Sequence, residues 1–290
     1  MIPDKYIVSG IDLGPESGTV VSYSAYFASG ISAAVKLLYV IDYLLTPPTY
    51  LSSYIEEEKK KDERELSRWK DLLNSSGVMA EYRILLGRLH ESFISVIEET
   101  RPELLVIGYK SHMFRQSSSE RLIMSLRVPM LVVRRKSPDI IPLGSVKIKK
   151  ILCPVDFSEN SKKVLSIARS YALMFSAELI LVKIIPPPLI TEKWTGWNKM
   201  EESDRARFDA LMRSEAESAM AAFCKACGVE GEGEVLHGNP GEVISSLADE
   251  RSCDLIVLDA RGLSYLQSIL TGSTIEQVLK TSPCPVLVVH

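Results

Sequence analysis

The 290-residue chain has few of the residues that catalytic centres use most often. It contains four histidines, and no segment matches the phosphate loop of P-loop NTPases, the HExxH zinc motif or the GxSxG nucleophile motif. Lysine and arginine form no extended block and the net charge is −3, which argues against nucleic-acid binding as the main function. We therefore expect a protein that is not an enzyme.

Long apolar runs are also absent. A helix needs roughly 18 consecutive apolar residues to span a bilayer, and no segment reaches that length. The first ten residues, MIPDKYIVSG, contain no basic region followed by an apolar stretch, which is the pattern of a secretory signal. We therefore expect a cytoplasmic protein that makes no membrane contact.

Cysteine is absent from the first half of the chain, and the second half contains five. An odd set does not fit a disulfide framework, so we expect reduced thiols. Cys224 and Cys227 form a CxxC pair at the end of a helical pattern, where the helix dipole would raise a thiol pKa rather than lower it. A zinc site would need two further ligands, and His237 is the only nearby candidate. We therefore predict buried helix cysteines and no metal site of this kind.

What the sequence does contain is an internal duplication. The segment KYIVSGIDLGPESGTVVSYSAYFASGISAAVKLLYVID corresponds to KKILCPVDFSENSKKVLSIARSYALMFSAELILVKII in the second half. In both, a β-rich run ends at an aspartate, Asp12 or Asp156, and a polar turn, an amphipathic helix and another apolar run follow. Two later blocks also correspond, and one of them pairs Gly87 with Gly238. The agreement in order and spacing indicates two copies of one unit.

Each copy reads β-α-β-α-β-α-β, and its strands are near-continuous apolar runs such as ELLVIG and DLIVLD. Such runs are typical of parallel strands that are buried on both faces by helices. The last runs, PMLVVR and CPVLVVH, supply a fifth strand to each copy. The segment SPDIIPLGSV contains two prolines and a glycine, which suits a linker. We predict a first domain over residues 1–137, a linker over 138–146 and a second domain over 147–290.

These motifs resemble the universal stress protein family in its tandem two-domain form, and the resemblance covers nearly the whole chain. Its strongest block is DLIVLDARGLSYLQSILTGSTIEQVLKTSPCPVLVV. The resemblance implies two tandem α/β sandwiches, each a doubly wound five-stranded parallel sheet that is Rossmann-like and similar to the adenine nucleotide alpha hydrolases. Members that bind ATP or AMP carry the motif Gly-x2-Gly-x9-Gly-Ser, an acidic residue after the first strand and a hydrophobic residue after the second.

The second copy matches most of this motif. By resemblance, Asp156 after the first strand would accept hydrogen bonds from adenine or ribose, and Ile184 after the second strand would cover the adenine face. Gly262 lets the backbone approach closely, and N–H groups from Gly272 to Thr274 would meet phosphate at a helix N-terminus. The residues predicted to bind ATP or AMP are Pro154, Val155, Asp156, Ile184, Asp259, Arg261, Gly262, Gly272, Ser273 and Thr274.

Asp259 departs from the motif because it stands where the family has its first glycine. Its charge would cost on the order of 4 kcal/mol against a phosphate about 4 Å away at an effective dielectric near 20. That cost corresponds to about a thousandfold in affinity. Arg261 would offset part of it, and a Mg²⁺ ion that bridges Asp259 to the phosphates would offset more. The alternative is that Asp259 only caps a turn in a site that no longer binds nucleotide.

The first copy departs further from the motif. It keeps Gly108 but has Ser111 in place of the second glycine, and the loop that follows is shorter. Basic residues such as Lys110 and Arg115 suit either a small anion or a simple exposed loop. We expect a degenerate first site, in which Asp12 makes only local hydrogen bonds.

The pattern as a whole predicts a regulatory stress-response module that senses adenine nucleotide and docks to a protein partner. The alternative is an assembly or adaptor protein with both sites degenerate. For this alternative the resemblance implies paired fifth strands, since these strands commonly pair across a two-fold axis in the family. MLVV and VLVV can then pair within the chain and bury two sheet edges, and two chains would form a homodimer. An enzyme of a related nucleotide-binding fold is disfavoured, since its phosphate signature is absent. Trp194 and Trp197 would cover the crevice or pack at an interface.

Overall fold

The structure, a computed structural model, divides into two compact units. Unit 1 comprises Met1–Lys147 together with Cys284–His290, and unit 2 comprises Ile148–Pro283. The side chains of residues 42 and 52–58 lie outside the description. The residues that the structure describes are 4–42, 52–109, 122–123, 125–134, 141–187, 201–229, 233–260 and 274–290.

Strands and helices alternate along the described part of the chain. Within each unit the strand pairings are parallel, except the pairing of β5 with the last strand. In chain order the elements are β1 (Tyr6–Ile11), α1 (Ser17–Ile31), β2 (Ala34–Asp42), α2 (Ser52–Ser75), β3 (Ala80–Gly87), α3 (Leu89–Thr100), β4 (Leu104–Gly108), β5 (Met130–Val133), β6 (Lys150–Val155), α4 (Glu159–Phe175), β7 (Glu178–Ile185), α5 (Glu202–Ala226), β8 (Glu234–His237), α6 (Pro240–Glu250), β9 (Leu255–Asp259), α7 (Thr274–Thr281) and β10 (Val286–Val289).

The two units share one strand order. In unit 1 the parallel order is β3-β2-β1-β4-β5, and in unit 2 the corresponding strands follow the order β8-β7-β6-β9. The first strand of each unit therefore lies between the second and the fourth. The strands β4 and β9 are buried almost without interruption, as expected for a sheet that is covered on both faces. The predicted α/β class with parallel sheets is confirmed.

The helix that follows the first strand ends in the same way in both units. Ser32 and Ser176 adopt left-handed backbone conformations with φ of 54° and 55° at the ends of α1 and α4. Ala33 N donates to Ala28 O at 2.9 Å, and Ala177 N donates to Ala172 O at 2.8 Å. These bonds satisfy carbonyls that a helix C-terminus leaves without partners, and they turn the chain into the second strand. The duplication read from the sequence thus extends to backbone detail.

Strand β10 completes the sheet of unit 1. It pairs antiparallel with β5, with Val286 opposite Val132, Leu287 opposite Leu131 and Val288 opposite Met130. Both strands are fully buried. This pairing confirms the prediction that MLVV and VLVV pair within the chain, and it covers a β5 edge that would otherwise present unpaired N–H and C=O groups. No helix in the described part of the chain is both long and apolar enough to cross a membrane.

We predict that Leu287→Ala destabilises unit 1, although residue 287 lies far from the rest of that unit in the sequence. Leu287 has no exposed surface, so its truncation should cost about 2–5 kcal/mol. Hydrogen exchange at the amides of residues 130–133 would accelerate. The matched control is Leu211→Ala, because Leu211 is 57% exposed and its loss should leave exchange at those amides unchanged.

Candidate functional site

The carboxyl ends of β6 and β9 form the natural ligand position of unit 2. Strand β6 pairs with β7 on one side and with β9 on the other, so the connections after β6 and β9 leave the sheet in different directions. In open α/β sheets ligands bind at this switch point. Asp156 directly follows β6 and Asp259 is the last residue of β9. The topology therefore brings two carboxylates to the same edge of one sheet.

Asp156 is held by the first turn of α4. Its Oδ1 accepts from Ser158 N at 2.9 Å and from Ser161 Oγ at 2.5 Å. Ser158 is also the N-cap of α4, since its side chain accepts from Ser161 N at 3.1 Å. These bonds occupy Oδ1 and fix the orientation of the carboxylate. The Oδ2 atom is the part of Asp156 that a ligand would use.

Lys183 lies beside Asp156, and the sequence pattern did not single it out. Its Nζ is 5.0 Å from the centre of the Phe157 ring, a distance at which a cation is attracted to an aromatic face. Burial lowers the pKa of Lys183, and the charge of Asp156 opposes this shift. A lysine within the apolar run of β7 was the only signal in the sequence. Lys183 adds a half-buried positive charge to this edge of the sheet.

The pKa of Asp156 lies below its ordinary value. Burial raises it, but the hydrogen bonds from Ser158 and Ser161 and the charge of Lys183 act in the opposite direction and outweigh burial. Asp156 is therefore an anion at neutral pH, and it can accept hydrogen bonds from ribose hydroxyls or from an adenine amino group.

The first unit repeats this arrangement at Asp12. Its Oδ1 accepts from Gly14 N at 2.9 Å and from Ser17 Oγ at 3.1 Å, which confirms the prediction of local hydrogen bonds. The next residue is left-handed in both units, with φ of 55° at Leu13 and 69° at Phe157. A non-glycine residue in this region costs on the order of 1–3 kcal/mol. The same strained turn thus follows the first strand in both copies.

Ile184 is not where the sequence analysis expected it. It lies inside β7 rather than after that strand, it is 6% exposed, and its register partner is Leu236. The apolar pattern of the strand extends further than expected, because Ile185 also pairs. Its side chain is buried, but Ile184 is one residue before the carboxyl end of β7, so its contact with an adenine ring stays a prediction. Pro154 and Val155 are likewise buried within β6.

Two further predicted residues, Asp259 and Thr274, lie at the end of β9 and the start of α7, and both are 7% exposed. Helix α7 is anchored against α6, because Ser245 Oγ and Thr281 Oγ1 are 2.7 Å apart and Gln277 Nε2 donates to Glu242 Oε1 at 3.3 Å. The described residues therefore fix both ends of the predicted phosphate loop. Arg261, Gly262, Gly272 and Ser273, as well as Trp194 and Trp197, lie outside the described residues.

The prediction of buried helix cysteines is confirmed for Cys224, which lies in α5, but it is wrong for Cys227, which follows the helix as its C-cap residue. All five cysteines are free, Cys224 is buried and Cys227 is half-buried. Burial raises the pKa of Cys224, and it raises the pKa of the fully buried Cys153 thiol to about 12. The described residues contain no group of three or more His, Cys, Asp or Glu side chains that could hold a metal ion. His237 is the last residue of β8 rather than a loop residue, and it is exposed.

Two clefts are formed by described residues away from the strand ends. One of about 500 Å³ lies in unit 1 between α1, α2 and residues 141–143. The other, of about 710 Å³, lies in unit 2 between α5 and β8. None of the predicted nucleotide-binding residues lines either cleft. The carboxylates at the strand ends therefore remain the best candidate for a functional site.

The strand order and the aspartate after each first strand define a tandem pair of Rossmann-like α/β units. The chain belongs to the universal stress protein family, whose sequence model matches residues 5–134 and again residues 147–290. Both copies detected by repetition are thus members of one family.

Relatives and solved structures agree with this assignment. A universal stress protein of Methanocaldococcus jannaschii is 31% identical over 156 residues, which is 50% of this chain and 96% of the relative. A universal stress protein of Thermus aquaticus is 33% identical over 49% of this chain and 98% of its own length. The crystal structure of a universal stress protein from Archaeoglobus fulgidus covers 98% of this chain and 95% of its own, with a TM-score of 0.70 and 20% identity. That last likeness concerns the fold alone.

We predict that Asp156→Asn lowers stability at neutral pH and that the loss shrinks in acid. Because the folded-state pKa of Asp156 is depressed, its contribution is present above the unfolded-state pKa of about 3.9 and disappears as pH falls through the folded value. Urea unfolding at several pH values measures the difference between variant and wild type.

Asp209→Asn is the control, since Asp209 is exposed on α5 of the same unit. Its difference from wild type should stay small at every pH. A gap for Asp156→Asn that stayed constant down to about pH 3 would contradict the charged role assigned to this carboxylate.

Proposed function

We propose that the protein is a tandem universal stress protein that binds ATP or AMP in unit 2 and acts as a regulatory stress-response module. The observation that carries the proposal is the pair of carboxylates at the ends of β6 and β9, on the sheet edge where ligands of open α/β folds bind. Family membership supports the stress-response role. The sequence motif around Gly262, Gly272 and Ser273 supports an adenine nucleotide as the ligand.

In the proposed complex, Asp156 accepts hydrogen bonds from the nucleoside and α7 receives the phosphates. Asp156 is suited to this role because its Oδ1 is fixed by α4 while its pKa is held low. The N-terminus of α7, beginning at Thr274, favours negative charge through its N–H groups and dipole. Ile184, which lies one residue before the end of β7, is the residue proposed to cover the adenine face.

Asp259 makes a divalent cation part of the proposal. A buried carboxylate at the end of β9 repels a bare phosphate, but Mg²⁺ is commonly held by one or two carboxylates together with phosphate oxygens. The described residues hold no set of three or more metal ligands, which fits an ion that needs the nucleotide to complete its coordination. We propose that Asp259 holds Mg²⁺ only when the nucleotide is bound, with Arg261 offsetting part of the remaining charge.

The rest of the proposal concerns organisation. We propose domains at residues 1–137 and 147–290 that are joined by residues 138–146, a cytoplasmic location, a homodimer and an unidentified protein partner. Neither nucleic acid nor a membrane is a proposed partner, and catalysis is not part of the function, although slow ATP hydrolysis is compatible with the site. An assembly or adaptor role without nucleotide is the second candidate. The strand pairing of β5 with β10 supports it, because that pairing needs no ligand.

We predict that ATP with Mg²⁺ stabilises the wild-type protein, whereas ATP with a chelator does not. Thermal unfolding with each ligand measures this difference. In Asp259→Asn the like-charge repulsion is gone, so affinity for metal-free ATP should rise at least tenfold. The Mg²⁺ dependence should weaken at the same time, because the variant has lost the proposed metal ligand. Nucleotide released by acid from the purified protein and identified by mass gives an independent measurement.

Two further variants make the test specific. Asp259→Gly removes bulk as well as charge, so comparison with Asp259→Asn separates the two obstacles. Asp209→Asn changes the net charge equally at an exposed helix position and should behave as wild type. If neither the wild type nor either Asp259 variant responds to ATP with or without Mg²⁺, the nucleotide proposal is wrong and the adaptor role takes its place.

A further inference from the structure

Glu16 lies at the switch point of unit 1. It is the N-cap residue of α1, yet its side chain makes no capping hydrogen bond to the helix. Its carboxylate is directed at the end of β4 instead, since a Cβ atom added to Gly108 would lie 3.3 Å from Glu16 Oε2. That oxygen is buried. A carboxylate thus fills the space beside the last residue of the fourth strand.

The corresponding positions of unit 2 carry the acidic residue on the strand instead. Asn160 and Glu16 are equivalent, because each stands four residues after the aspartate that follows the first strand. Gly108 and Asp259 are equivalent, because each ends the five-residue fourth strand of its unit. Unit 1 therefore has an acidic residue on the helix and glycine on the strand, whereas unit 2 has an amide on the helix and aspartate on the strand. The acidic residue therefore belongs to the helix side in unit 1 and to the strand side in unit 2.

A carboxylate at this position acts against a phosphate in two ways. It occupies space that a glycine at the strand end leaves open, and its charge repels a second anion. A phosphate oxygen about 4 Å away would bind about a thousandfold more weakly at an effective dielectric near 20. Because Glu16 Oε2 would lie 3.3 Å from a Cβ atom at position 108, it occupies space beside the strand end that an anion would need.

We propose that Glu16 is the residue that excludes phosphate from the crevice of unit 1, and that the amide Asn160 at the equivalent position leaves the helix side of the unit 2 crevice uncharged. The loop sequence alone explained the degenerate first site by missing glycines and shorter length. The position of Glu16 beside Gly108 offers a different cause for the loss of phosphate binding, and a single substitution at residue 16 would remove it. This inference concerns unit 1 and does not depend on nucleotide binding in unit 2.

The test replaces Glu16 by the residue that unit 2 has at the equivalent place. Glu16→Asn should acquire a response to inorganic phosphate that the wild type lacks, with a rise in the unfolding temperature of about 3–5 °C at ten times the dissociation constant. The amide resonances of Ser17 and Gly18 should shift with phosphate, which identifies the crevice as the binding position. Glu16→Gln removes the charge but keeps the bulk, and its response should be smaller.

Glu103→Asn is the matched control. Glu103 is exposed and directly precedes β4, so it lies at the opposite end of that strand from Gly108. Its substitution changes the net charge of unit 1 by the same amount as Glu16→Asn. A phosphate response that is equal in the Glu103 and Glu16 variants would mean that net charge alone is responsible. No response in either Glu16 variant would also overturn the proposal.

A double-mutant cycle tests the contact itself. Gly108→Ala places a methyl group 3.3 Å from Glu16 Oε2 and should destabilise the wild type, but it should have little effect in the Glu16→Asn background. Additive effects would contradict the proposed contact between residues 16 and 108, whether or not phosphate binds.

The same exchange can be transplanted into unit 2, and this experiment alone rests on the proposed function. In the Asp259→Gly background, Asn160→Glu restores the arrangement of unit 1, so it should cancel the gain in affinity for metal-free ATP. If Asp259→Gly binds no ATP, the nucleotide proposal fails while the phosphate test in unit 1 stands. If Asp259→Gly gains affinity and Asn160→Glu leaves that gain intact, the role of position 160 is wrong.

Discussion

The parallel hydrogen bonding of the first strand to both the second and the fourth is the constraint on which the candidate sites depend. In unit 1, β1 pairs with β2 and β4, and in unit 2, β6 pairs with β7 and β9. This order places the residue after the first strand next to the residue that ends the fourth, although roughly a hundred residues separate them in the sequence. Without this arrangement Asp156 and Asp259 would have no reason to share an edge, and Glu16 would not meet Gly108.

Much of the fold could be predicted because each strand and helix pattern occurs in both copies of the duplicated unit. A β-rich run that ends at Asp12 or Asp156, followed by a polar turn and an amphipathic helix, predicts strand and helix in each copy, and the two predictions support one another. The buried, uninterrupted strands read correctly as parallel. The pairing of MLVV with VLVV was also predictable, because two apolar edge strands of the same length favour each other over water.

The site could be predicted only in part, because side-chain direction is not written in local sequence. The end of β7 was predicted too early, because Ile184 was placed after the strand whereas Ile184 and Ile185 still pair with β8. An apolar run does not show where pairing stops. Lys183 was missed because a lysine in an apolar run reads as a strand end rather than as a partner of Asp156 and Phe157. The Glu16 carboxylate was missed for a related reason. A glutamate before a helix predicts a favourable interaction with the helix dipole, and only the packed structure directs it to Gly108.

The position of β10 in the sequence determines when unit 1 can complete its sheet during synthesis. Translation delivers residues 1–147 long before Val286–Val289, and chains generally begin to fold from the N-terminal side during synthesis. In a nascent chain the edge of β5 therefore stays unpaired until β10 has been synthesised, which happens only after the whole of unit 2. During that interval the unpaired edge of β5 is a template on which the strand of another chain can pair.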